Sequence, residues 1–518
     1  MPSSSTAHFS GVAIISSRTE RGELGSTTHT LTIKGSPHGC GAEMRPRLAG
    51  ADGGAEDRIS GLPTELLLHI LLRLRCARAA ARAGLVCRRW RGLWALLPEI
   101  HLRGVRPGSV DAALARLQAS RAAAAEGAPP AVLSVETRGF GFSKRLVASW
   151  LCRAARLAPG ELKLSVAGPR RPDAPLWWRD IQLPCFDRTT AIELTQRNFC
   201  FHLAPPPAGE FAMLERLALT GGHFDAAAML PRCPRLRVLE MARTMLASPF
   251  AIHSPSLEEL VLVELDIAVG TQNSQLDIVA PVLKHLSLSS IEGASLSAPN
   301  LEKLSLNCRR RLGKIQLTDV RQLRELRLFE LRFNRSGRLM SFGHGVESFM
   351  QQLPDLHLLG IELTPLGNTT QPFEVPSGFW SRKLPKTSIL MLQLSTDCNE
   401  FAGPVLHVLQ MVKGMEELTI HVKSPKETGS PGYCCHPYEA QASEELSLLL
   451  LKKVEFKGFT GAKSAINVLK LLLTSAKALE EMTVTLCNKD SPSYEREKQQ
   501  LTNIFNRYPN VKCQLLDA

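Results

Sequence analysis

PVLKHLSLSSIEGASLSAPNLEKLSL, from Pro281 to Leu306, contains the same short phrase twice. Leu283, Leu286 and Leu288 form the first copy, and Leu301, Leu304 and Leu306 the second, each with a proline two residues ahead of its first leucine. Alternation of Leu with polar residues in the second half of the phrase defines a strand with one buried face. The i, i+3, i+5 spacing also partly fits a helix, but the upstream proline and the recurrence oppose that reading. Working outward, the phrase returns at Leu214-Leu217-Leu219, Leu236-Leu239-Met241, Leu257-Leu260-Leu262, Leu323-Leu326-Leu328 and Leu356-Leu359-Ile361. Weaker copies follow at Ile389-Leu392-Leu394, Met415-Leu418-Ile420, Leu451-Val454-Phe456 and Leu479-Met482-Val484.

Start-to-start distances from Leu214 to Leu323 are 22, 21, 26, 18 and 22 residues, the period of a leucine-rich repeat. One such strand cannot bury its leucines alone, so neighbours must stack into a parallel sheet. The segments between are expected to be short, irregular returns across the convex side. The Asn or Cys that usually closes such a repeat does not recur, which implies an irregular solenoid. Side chains between the buried leucines then point to the opposite, concave surface. Arg216, Glu240, Glu259, His285, Lys303, Glu325 and Arg327 are the candidate target-binding residues there, with solvated side chains as the bland alternative for each.

A different pattern occupies Asp57 to Leu102, DRISGLPTELLLHILLRLRCARAAARAGLVCRRWRGLWALLPEIHL. Pro63 suits the first turn of a helix. Leu62, Leu66, Leu67, Ile70, Leu71 and Leu74 spread over more than one face of that helix, so more than one face must be covered. An Ala- and Arg-rich helix is expected around Ala77 to Arg82. A third is expected to carry Val86, Trp90, Leu93, Trp94 and Leu97 on one side. So small a unit cannot bury all of these groups internally. The surplus points to a partner protein.

The order Leu-Pro-x-Glu-Leu-Leu, Ile-Leu, then Val-Cys-Arg-x-Trp-Arg-x-Leu-Trp closely resembles the F-box. The resemblance implies docking to a Skp-family adaptor, and through it to a cullin and a RING subunit. The implied adaptor contacts are Leu62, Pro63, Leu66, Ile70, Leu71, Val86, Cys87, Trp90, Leu93 and Trp94. Some of these must be the unit's own core, and the sequence does not divide the two groups. From about Leu384 the chain resembles the FBD-type region that follows the repeats in many plant F-box proteins. Leu384-Pro385-Lys386, Met415-Glu416-Glu417-Leu418 and Leu479-Glu480-Glu481-Met482-Thr483-Val484 carry that looser likeness.

Composition narrows the function. The 518 residues exceed a single core, and 44% hydrophobic with 21% charged residues is ordinary for a globular chain. The 13 cysteines are odd in number and scattered, with no Cys-x-x-Cys pair, as reduced thiols of a cytoplasmic or nuclear protein would be. The apolar run Gly11 to Ile15 is too short for a secretory signal, and no run is long enough to span a membrane. The net charge of +13 raises nucleic acid as a partner. Its distribution argues against that: Asp57 to Arg106 holds ten arginines against three acidic residues, a basic unit suited to an acidic adaptor.

No His-Glu-x-x-His, Gly-x-Ser-x-Gly or paired-glycine dinucleotide motif occurs, and no cofactor or metal is called for. Gly461-Ala462-Lys463-Ser464 ends like a phosphate-binding loop but lacks the required upstream glycine, so it reads as a turn. The expected organisation is a disordered segment over 1–55, an F-box over 56–103 and a helical linker over 104–130. Repeats over 131–383 and an FBD-like region over 384–518 complete it. Met44 lies shortly before the F-box-like unit, so 1–43 reads as an extended start. The fold class is α/β, a three-helix F-box followed by an irregular leucine-rich-repeat solenoid with a parallel sheet on its concave face. The resemblance implies a non-catalytic substrate receptor of a Skp–cullin–F-box ubiquitin ligase, acting on an unknown protein. A repeat scaffold not coupled to a ligase is the alternative.

Overall fold

The computed structural model describes residues 62–74, 76–84, 88–123, 128–139, 142–168, 179–197, 201–246, 250–267, 275–289, 291, 293–307, 314–318, 320–333, 353, 355–365, 384–395, 401–423, 446, 448–459, 461–486 and 494–517. The expected disordered segment 1–55 lies outside them.

Every described copy of the leucine phrase forms a strand, and the strands pair in chain order, all parallel, into one 16-stranded sheet. Its first half is β1 (Glu99–Arg103), β2 (Val132–Arg138), β3 (Glu161–Ala167), β4 (Ala191–Arg197), β5 (Arg216–Thr220), β6 (Val238–Ala242), β7 (Glu259–Val263) and β8 (His285–Ser289). The second half is β9 (Lys303–Asn307), β10 (Glu325–Phe333), β11 (Leu356–Pro365), β12 (Thr387–Ser395), β13 (Glu417–Lys423), β14 (Lys453–Phe459), β15 (Glu481–Leu486) and β16 (Lys512–Asp517).

Register aligns the leucines into continuous columns. Leu260 pairs with Leu286, Leu286 with Leu304 and Leu304 with Leu326, and all four are buried. In most copies the first leucine sits just before the strand, where a tight turn delivers it to the core. Leu283 N–H bonds to the Ala280 carbonyl at 3.1 Å and Leu301 N–H to the Ala298 carbonyl at 3.1 Å. That places Pro281 and Pro299 at the second turn position, which their fixed φ suits. The copy at Ile389-Leu392-Leu394 is displaced by two residues. Leu390, Leu392 and Leu394 are the buried triplet of β12, with Thr387 in the first position and Ile389 facing outward.

The returns are more regular than expected. Between the central strands they form two further parallel ladders. One joins Arg179–Gln182, Phe201–Ala204, His223–Phe224, Met245–Leu246 and Asp266–Ile267. The other joins Ala251–His253, Leu276–Val279, Gly293–Ser297 and Lys314–Thr318. Towards either end of the sheet the returns are helices. Thr244 does part of the work of the absent asparagines, its buried hydroxyl donating to the Ala242 carbonyl at 3.2 Å with the Gly221 carbonyl close by at 3.4 Å. At Gly221 (φ +74°) a Cβ would lie 2.3 Å from the Gln196 carbonyl oxygen, so only glycine fits this turn. Gly458 (φ +73°) sits at a register shift between Lys457 and Phe459, and the phosphate-loop lookalike runs from Gly461 (φ +66°) into the first turn of the helix Lys463–Ser475.

The F-box-like segment departs from the three-helix expectation. It has two α-helices, α1 (Thr64–Arg73) and α2 (Ala77–Ala83), then short 3₁₀ turns at Arg88–Trp90 and Leu93–Leu96 in place of the third helix. Gly92, at φ +82°, separates the two turns and interrupts any helix through them. Pro63 stands one residue outside α1, its carbonyl accepting from Leu66 N–H at 3.1 Å and Leu67 N–H at 3.2 Å.

The segment runs straight into β1, so the sheet begins inside the expected F-box range. The helical linker expected over 104–130 contains α3 (Pro107–Ala123), which connects β1 to β2, and α4 (Lys144–Leu157) connects β2 to β3. Asp111 on α3 accepts from Ser149 at 2.6 Å and pairs with Arg153 at 2.8 Å, both on α4, and these bonds hold its carboxyl below the usual range. The same sheet continues across 384 without a break.

Candidate functional site

Helix α1 divides its apolar residues cleanly between two sides. Leu67 and Leu71 are buried against the rest of the unit, together with Ala80, Ala95 and Leu97. Leu66, Ile70 and Leu74, spaced four apart and therefore stacked along one face, are 49%, 40% and 45% exposed. Pro63 is exposed at the head of that face and Leu62 is half-buried. Keeping each large aliphatic side chain in water forgoes roughly 1.5–3 kcal/mol. Three in a row on a single helix mark a surface made to be covered.

The expected adaptor contacts therefore separate. Leu66, Ile70 and Pro63 lie on the open face, while Leu62, Leu93 and Trp94 are half-buried around it. Leu71 and Trp90 belong to the unit's own core, because the 3₁₀ turns fold back over that side of α1. Leu74, not among the expected contacts, extends the open stripe, and its i+4 spacing from Ile70 was the available signal. Val86 and Cys87 lie outside the described residues. Basic groups line the neighbourhood: Arg73, Arg78, Arg82, Arg89 and Arg91 are exposed.

Two groups tie this unit to the sheet. Arg78 Nη2 donates to the Gly104 carbonyl at 2.6 Å. Arg121, a buried cation on α3, donates to the Leu97 carbonyl at 2.6 Å and also to that of Ala128, and its burial lowers its pKa.

The second surface is the outward face of the sheet. Arg216, Glu259, His285, Lys303 and Glu325 occupy one row across β5 and β7 to β10, as their register shows. Glu240 and Arg327 occupy the next row. All seven expected residues thus share one face, but several satisfy one another. Arg216 meets Glu240 at 2.8 Å, and Glu325 meets Lys303 at 3.2 Å and Arg327 at 3.7 Å.

Just before the strands, Glu215, Arg237, Glu258, Lys284, Glu302 and Arg324 follow one another with alternating sign. Glu258 is bonded by Arg237 at 2.7 Å and Lys284 at 3.1 Å, which pulls its carboxyl down to about 2. Glu215, Arg237, Glu258 and Lys284, with the start of the strand row at Arg216, Glu259 and His285, border a groove of about 340 Å³. Exposed pairs of this kind contribute little to stability; their main effect is to order and neutralise the face. Among the described residues no three His, Cys, Asp or Glu side chains are placed to hold a metal ion, and no helix is long and apolar enough to cross a membrane.

A small helical unit with an uncovered stripe, joined to a stack of parallel strands with a broad open face, defines a protein of the repeat class. An F-box-like family model matches residues 59–95, the segment carrying that stripe. An F-box/FBD/LRR-repeat protein of Arabidopsis thaliana is 28% identical over 253 residues, 46% of this chain and 54% of the relative. The match thus spans about half of that relative's length. A second F-box/FBD/LRR-repeat protein of the same plant is 22% identical over 471 residues, 89% of this chain and 96% of the relative. The chain thus carries an F-box-like segment and is similar, over most of its length, to plant F-box/FBD/LRR-repeat proteins.

Proposed function

We propose that this chain is the non-catalytic substrate-recognition subunit of a Skp–cullin–F-box ubiquitin ligase. The stripe on α1 docks a Skp-family adaptor, which carries the cullin and its RING subunit, and the outward face of the sheet holds a target protein. The work of such an assembly is positional: tethering raises the effective concentration of target lysines near the ubiquitin thioester. Acting there requires a cytoplasmic or nuclear location.

The observation that carries this reading is the open row Leu66, Ile70 and Leu74 beside Pro63, inside the segment that matches the F-box-like model. Central apolar anchors of an interface are worth roughly 2–4 kcal/mol together. Replacing Leu66 and Ile70 by Ser should weaken adaptor binding by about 30- to 1000-fold, at about tenfold per 1.4 kcal/mol. Both side chains already face solvent, so the helicity and melting of the protein should hardly change. Undiminished adaptor binding by that folded variant overturns the docking assignment. Recovery of adaptor without cullin from cells would instead identify a scaffold uncoupled from a ligase.

A further inference from the structure

The outward rows of the sheet change character at β11 and β12. On β9 and β10, and again on β14 and β15, outward positions carry paired charges, Lys303 and Arg327 with Glu325, Lys453 with Glu481 and Lys457 with Glu455. At β11 and β12 they carry Leu358, Gly360, Ile389 and Met391 instead. Register sets Leu358 beside Ile389 and Gly360 beside Met391. Adjacent strands lie about 4.8 Å apart, so three half-buried apolar side chains surround a position that has none. Outward positions of strands buried on one face are ordinarily polar; this patch breaks that rule on two adjacent strands.

The rim of the patch is acidic. Glu417 stands beside Ile389 on β13, exposed and in no ion pair among the described residues. Glu362, the next outward residue after Gly360, accepts from the neutral Gln393 amide at 2.9 Å. Asp355 is exposed at the entry to β11. Arg327 lays its stem against Gly360, where an added Cβ would lie 3.2 Å from Arg327 Cγ, and its guanidinium is turned to Glu325; Lys453, beside Glu417 on β14, is paired with Glu481.

We propose that this patch anchors the target, and that it takes a segment whose aliphatic or aromatic side chain is flanked by lysine or arginine. The apolar side chain would cover Leu358, Ile389 and Met391 over the dip at Gly360, and a flanking cation would meet Glu417. Apolar anchors with charged rims are the usual division of labour in an interface. This rests on the receptor reading above.

The test uses the full chain bound to its adaptor. The probes are fluorescein-labelled nine-residue peptides with a central Leu or Phe flanked by Lys, the same peptides flanked by Glu, and peptides with a central Ser. The Lys-flanked apolar peptides should bind saturably. Their affinity should fall about tenfold or more, the value of roughly 1.4 kcal/mol, when Ile389 and Met391 are both replaced by Ser. It should fall similarly in Gly360→Leu, which fills the dip and displaces only the flexible Arg327 stem. Glu417→Lys, at an exposed position, should invert the preference between Lys- and Glu-flanked probes.

Equal binding of the Glu-flanked peptides, indifference to all three variants, or no saturation by about 1 mM, the range of very weak complexes, overturns the proposal. So does a dimer in sedimentation that the Ser variants dissociate, since a second copy would then cover the patch. Adaptor binding, measured in parallel, separates the two readings. Its loss in the wild type defeats the receptor reading, whereas intact adaptor binding without peptide binding defeats the patch alone.

Discussion

Ile70 and Leu71 are neighbours on α1, and truncating each to Ala should report a different property. Leu71 is buried, so Leu71→Ala leaves a cavity and should destabilise the unit by roughly 2–5 kcal/mol. Ile70 is 40% exposed, so Ile70→Ala should leave melting unchanged and weaken only adaptor binding. Thermal denaturation and adaptor titration of the two variants give the check, and matched losses in both would mean the division of the helix is wrong. In the sequence both are large aliphatics in a run that is apolar almost all round. Only the packing of the 3₁₀ turns decides which side is covered, and that depends on the unusual backbone at Gly92. Another residue-scale prediction concerns His223. Its pKa is lowered by burial and by the neighbouring His202, whose ring centroid is 4.5 Å away, with Asp225 and Asp180 acting in the opposite sense. The folded state therefore resists a proton that the unfolded chain accepts near 6.5. Above that pH the group is neutral in both states and costs nothing; as pH falls below it, stability is lost until the folded pKa is passed. His421, lowered by burial and by Lys423 and Lys457, acts with the same sign. Melting at pH 5.5 and 7.5 should show a drop that is smaller in His223→Gln, and an equal drop in that variant would sink the assignment.

At the scale of elements, β5 to β15 were legible because each repeats a buried apolar triplet, whereas β1 to β4 and β16 carry no copy of the phrase and β16 buries none of its residues. The ladders between the main strands were not legible. Their strands run two to five residues, as at Met245–Leu246 and Gly293–Ser297, too short for alternation to declare itself. The β12 copy misled for a related reason: Ser388 to Leu394 is almost wholly apolar, and two registers of the phrase fit it. Arg121 is the element-scale feature with the clearest consequence. It bridges the end of the F-box-like unit to the segment after α3 by way of two backbone carbonyls. Arg121→Met would keep the stem packed and remove both donors, at about 1–3 kcal/mol for each buried acceptor left unsatisfied. The expected result is faster amide exchange in β1 and at Leu97, with adaptor affinity unchanged because the α1 stripe is untouched. Unaltered exchange in β1 would show that the clamp contributes nothing to the joint.

Over the whole molecule, the sheet runs from Glu99 to Asp517 with each strand bonded to its sequence neighbours. Such a stack draws its stability from nearest-neighbour interfaces, so damage should spread from the site of injury and not through the entire chain. Leu304 tests this. It is buried on β9, between Leu286 and Leu326 of the flanking strands, near the middle of the array. Leu304→Asp places a carboxylate in an apolar column with no partner, a change that costs several kcal/mol. The central strands should lose protection in hydrogen exchange first, with β8 and β10 affected most, while β1, β2 and the F-box-like unit hold. Adaptor binding should survive. Binding of the Lys-flanked apolar peptide should be lost, since the patch on β11 and β12 lies only two strands away. Wild-type melting would mean that Leu304 does not carry the core. Simultaneous loss of adaptor binding would mean that the chain unfolds as one cooperative block and not as a stack of neighbours.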